Sequence, residues 1–146
     1  MDYNLYSPSI KKHDSRTKTF DIHYLFFVAL IGGIIAITIL GIQNARMLRL
    51  DKKIIALMIT TGIFFFINKI VILYSSFHDL LTMESGVIFS RAFGVFVYVI
   101  FYAILKKPYH EHLTTGAKTE PLLKKGAFWC FISLITEGVI IGLLKM

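Results

Sequence analysis

The chain has 146 residues, 55 % of them hydrophobic, with a formal charge of +7 and a mean hydropathy of +0.67. One domain of that length has too little interior to hide so much apolar surface from water, so the composition asks for lipid as solvent. A nucleic-acid binder is excluded too: the aromatic residues sit in the apolar runs, not on a basic face, and the basic excess reads as loops beside anionic lipid.

Residues 1–23 form a polar lead containing SPSIKKHDSRTK. The first apolar run, 24–42, carries no charge. It is too long for the core of a signal peptide and no small-residue cleavage site follows it, so a retained anchor is expected. Loop 43–53 holds Arg46, Arg49, Lys52 and Lys53. The second run, 54–74, is interrupted only by Asn68 and Lys69. The loop after it, SSFHDLLTMES, has Asp79 and Glu84 but no lysine or arginine. The third run, 87–105, has Arg91 near its start, and loop 106–127 holds Lys106, Lys107, Lys118, Lys124 and Lys125. The fourth run, 128–144, contains Ser133 and Glu137 on one helix face.

Each run is long enough, at about 1.5 Å per residue, to cross a hydrocarbon core of about 30 Å as a helix that closes its own backbone hydrogen bonds. The expected fold is therefore all-α, a polytopic four-helix transmembrane bundle. Small residues four apart mark close approach: Ala29 with Gly33, Gly32 with Ala36, Ser90 with Gly94, and Gly138 with Gly142. The lone cysteine, Cys130, permits no intrachain disulfide and reads as a small buried hydrophobe.

Lysine and arginine counts set orientation. Loops 43–53 and 106–127 carry nine between them; the lead, the second loop and the C-terminus carry five. Four crossings would then place the two basic loops in the cytoplasm and both termini outside.

Counting from the face of the second loop, Lys69, Arg91 and Glu137 fall at similar depth, roughly 6–10 Å inside. A charge at that depth must pair, snorkel or reach water. Glu137 has too short a stem to snorkel, so it is expected to face the bundle and meet Lys69 or Arg91. Asn68 is expected to hydrogen-bond between helices, and Ser133 to join the same network.

No catalytic set emerges. His110 and His112 flank Glu111, but alternate residues do not share a helix face and further zinc ligands are missing nearby. No phosphate loop or nucleophile elbow occurs. His23, His78 and Asp79 are a weaker acid–base grouping, placed at one interface by four crossings. Neither metal nor cofactor is expected.

LYSP (Leu5–Pro8), the Gly32–Gly33 pair, QNARMLRL with Asn44, Arg46 and Leu48, and HLTTGAKTEPLLKKGAF together resemble a loose group of small bacterial four-span membrane proteins. That resemblance implies a bacterial cytoplasmic membrane and a cytoplasmic lead, the latter against the orientation that the counts favour. It implies no activity, and the lead here is longer and more charged than the group's pattern. The functional expectation is a non-enzymatic protein working by helix contact with a membrane partner or a second copy, as an accessory subunit or an immunity-type protein. The alternative is a homo-oligomeric ion or proton channel or carrier built on the Glu137, Lys69 and Arg91 layer.

Overall fold

The computed structural model describes residues 18–77, 83–114, 116 and 119–144. Most of the lead, His78, Asp79, Lys118, Lys145 and the side chain of Glu84 lie outside the described residues. The chain forms α1 (Leu25–Met47), α2 (Lys52–Phe77), α3 (Met83–Thr114) and α4 (Leu123–Leu144). Two short strands, β1 (Thr19–Phe20) and β2 (Thr119–Glu120), pair in parallel. All four helices are long and apolar enough to cross a membrane, as expected of an all-α transmembrane bundle.

The helices overrun their apolar stretches. Lysines begin α2 at Lys52, and α3 continues past Pro108 to Thr114, so residues 106–114 are helical rather than loop. The most apolar of the four, α1, is also the most buried, and α2, α3 and α4 all pack on it.

The first run is not a straight span. Gly33, inside α1, has φ 64° and ψ −157°, a non-helical conformation that L side chains rarely adopt. Contacts on either side of it show a reversal. Before Gly33 the chain runs against α3: His23 meets the ring of Tyr102, Phe26 meets Tyr98, and Arg91 reaches the carbonyls of Leu30 and Ile31. After Gly33 it runs with α3, from Gly33 against Gly94 to Gly41 against Phe101. The first limb (25–32) lies parallel to α4, with Val28 beside Gly126 and Gly32 beside Cys130.

The ends of the hairpin confirm the turn. The Asn44 side chain makes two hydrogen bonds of 3.1 Å with the backbone N–H and C=O of Phe20. A straight helix would separate the start of α1 from Asn44 by about 28 Å, and the residues between Phe20 and Leu25 can span no more than about 18 Å.

Both ends of α1 therefore lie at one end of the bundle, with β1, β2, the start of α2, the end of α3 and the start of α4. The lead's described end, Lys18–Ile22, sits beside the two basic loops and not across the bundle from them. Every described lysine and arginine except Lys69 and Arg91 belongs to this end. The second limb (34–47) is about 21 Å long, so the tip stops short of the far side of an ordinary bilayer core.

Single cysteines at Lys18 and Asp51 are expected to react with an impermeant maleimide from the same side of sealed vesicles, and one at Phe77 from the other. A straight α1 would separate Lys18 from Asp51.

Candidate functional site: a polar centre at the hairpin tip

A helix that breaks in hydrocarbon strands carbonyls that water would otherwise satisfy. Here the stranded groups belong to residues just before Gly33, and side chains from two other helices reach them. Arg91 Nη1 donates to the carbonyls of Leu30 at 2.7 Å and Ile31 at 3.0 Å. The Ser133 hydroxyl donates to the carbonyl of Gly32, and the Cys130 thiol lies 4.0 Å from that of Val28. A guanidinium suits this place because it is always charged and presents a fork of donors.

On the other side of the break the second limb begins, and the start of a helix favours negative charge. Glu137 supplies it: its Oε1 lies 2.8 Å from where a Cβ on Gly33 would stand. The same oxygen accepts a 2.5 Å hydrogen bond from Lys69 Nζ. The side chain of Lys69 is only 4 % exposed, that of Glu137 17 %. Gly33 is thus needed twice, for its positive φ and for the space that the carboxylate fills.

The ionisable groups expected at common depth gather around one point, but in different roles. Glu137 meets Lys69. Arg91 meets backbone carbonyls, not Glu137. Ser133 joins through the Gly32 carbonyl. Asn68 does not form the expected bond between helices: its Nδ2 donates to Phe64 of its own helix at 2.8 Å. Among the small residues, Gly33 and Gly94 meet, and a Cβ on Gly94 would stand 2.8 Å from the Ala29 carbonyl. Gly138 and Gly142 have nothing within 4 Å of the position of an added Cβ, so they pack against no described part of this chain.

The other sequence candidates are dispersed. His23 lies against the ring of Tyr102 at the basic end, and its expected companions His78 and Asp79 lie outside the described residues. His112 is buried in the last turn of α3, and His110 is exposed. Among the described residues no three His, Cys, Asp or Glu side chains lie close enough to hold a metal. At the basic end Glu120 accepts from Lys125 at 3.1 Å and faces Lys18 at 3.6 Å. The Lys125 hydrogen bond and charge, with Lys18 behind them, hold its carboxyl below the usual range.

No family model, curated protein or solved structure matches the chain.

Asn44, which secures β1, has only a faint signal in the sequence, an amide one turn before the end of a long apolar helix. The turn at Gly33 had a weaker signal, a Gly-Gly pair in mid-run.

Lys69→Met is expected to lower stability by up to about 3 kcal/mol, because it leaves the half-buried Glu137 carboxylate without its partner. The double variant Lys69→Met/Glu137→Leu should recover a large part of that loss. Gly33→Ala should lower stability by more than the roughly 1–3 kcal/mol of strain in a positive-φ, extended-ψ region that is essentially reserved for glycine, since the methyl also meets Glu137. Unfolding midpoints in detergent check all three.

Proposed function

We propose that this chain is a non-enzymatic integral membrane protein that acts by lateral contact, as an accessory subunit or immunity-type protein of a bacterial cytoplasmic membrane. The observation that supports this most is the bare far end of α4. Beyond Glu137 the helix presents Gly138 and Gly142 to open space, with Val139 58 % and Leu143 65 % exposed. Small residues four apart let a second helix approach closely. Glu137, partly exposed, stands at the top of the same stretch and offers a polar contact to a partner.

The polar centre supports this reading indirectly. Arg91 and Ser133 are engaged in capping the break, and Lys69 in neutralising Glu137. The large surface left without a neighbour is then the one most available for work. For orientation, the concentration of basic residues at one end favours that end, with the described part of the lead, in the cytoplasm.

A photo-crosslinking residue at Val139 is expected to give a discrete adduct in native membranes, lost in Gly138→Leu/Gly142→Leu, while the same residue at Val71 of α2 gives none. The absence of any Val139 adduct would count against the proposal.

A second reading rests on a different observation, a charge pair at the tip of an interrupted helix. Interrupted membrane helices form ion and substrate sites in transporters, and Glu137 with Lys69 would be the polar step of an ion or proton path. With α2, α3 and α4 all packed on α1, a path would have to form between copies of the chain, so this reading needs self-association. It expects proton or cation flux in proteoliposomes that falls at least tenfold in Glu137→Gln; flux equal to that of empty vesicles removes it.

A further inference from the structure

The first limb of α1 and the first half of α4 run side by side in the same direction and leave a groove of about 780 Å³ between them. Val28, Gly126 and Cys130 form its floor, and Phe27 and Phe131 stand on opposite helices as walls. Its wall along α4 runs from Leu123 to Leu134, about 16 Å, which is the depth of one leaflet of hydrocarbon. It opens at the basic end, at Tyr24 and Pro121, and stops one turn short of Glu137.

We infer that this groove is a binding site for one acyl chain of an anionic phospholipid from the leaflet at the basic end. Length and lining select the chain: an apolar slot one leaflet deep, open laterally along exposed Phe27, Ile31 and Phe131, matches an extended hydrocarbon tail. Charge selects the headgroup. Lys124 is exposed beside Leu123 at the mouth, and Lys18 and Lys125 flank Glu120, the residue before Pro121. One carboxylate between two lysines, with a third lysine adjacent, leaves the mouth net positive. Each lysine near a membrane surface attracts anionic lipid by about 1 kcal/mol, roughly fivefold in occupancy. A partner helix is a poorer occupant, because the slot runs along only the first half of α4 and stops one turn short of Glu137.

The test is lipid retention. Protein reconstituted in nanodiscs of equimolar phosphatidylglycerol and phosphatidylcholine is transferred to mild detergent, and retained lipid is identified by native mass spectrometry. Wild type is expected to keep one phosphatidylglycerol in preference to phosphatidylcholine by about fivefold or more. Ala127→Trp, which fills the groove from its exposed rim, should reduce retention about tenfold. Lys124→Glu should abolish the headgroup preference while leaving a lipid bound. Val71→Trp, equally large and on exposed α2, should change nothing. Equal retention of the two lipids by wild type, or undiminished retention in Ala127→Trp with unchanged folding, would overturn the inference. So would an adduct between a photo-reactive residue at Ala127 and another protein in place of lipid.

Discussion

An interrupted helix in hydrocarbon must find donors for its released carbonyls, and this requirement organises the whole molecule. Gly33 releases them, and Arg91 and Ser133 answer from α3 and α4. The opposite polarity on the far side of the break is answered by Glu137, whose own charge is answered by Lys69 from α2. The three surrounding helices thus meet at the same point, α2 with Lys69, α3 with Arg91 and α4 with both Ser133 and Glu137. The centre explains why a greasy helix such as α2 carries a lysine in mid-run. In water the break would need none of this; in lipid each unmet group would cost several kcal/mol.

The reversal at Gly33 also decides which parts of the chain share an end. It brings β1 back to the far limb of α1, where the Asn44 amide takes both backbone groups of Phe20 much as a neighbouring strand would. The pairing of β1 with β2 then ties the lead to the connection between α3 and α4. Lys125 spans the seam, with its ammonium over the Phe20 ring and bonded to Glu120. Basic residues that a straight α1 would divide between two faces are collected on one. At Lys18 the lead and the two basic loops share one end of the bundle.

Helix number and the placement of charges could be read from hydropathy because lipid allows so few backbone solutions. That Lys69, Arg91 and Glu137 share a depth was likewise legible, since helix rise converts sequence position to depth. What was not legible was partner choice. Arg91 and Lys69 are both cations, and nothing in their spacing told that one would take carbonyls and the other a carboxylate; that depended on the break. The break itself hid in composition: Gly32–Gly33 reads equally well as a packing pair in a continuous helix, and glycine is common in membrane helices. Asn68 misled for a local reason, because a polar side chain facing lipid can return to the carbonyl four residues back on its own helix.

The shortness of the hairpin accounts for the bare end of α4. Nearer the basic end, α1 stands between the other three helices and gives each a surface to pack on. Past the tip it supplies nothing. There α2 and α3 close directly on each other, with Ser76 buried against Gly86 so tightly that a Cβ on the glycine would collide with it. A third helix needs its own small residues to join such a pair, and α4 has them at Gly138 and Gly142, yet that face packs against no described part of the chain. The salt bridge from Lys69 to Glu137 is the last strong tie between α4 and the bundle before that point. Hairpin depth, ion pair and exposed glycines are therefore one arrangement: the tip ends, the charges seal it, and α4 continues with its glycine face bare.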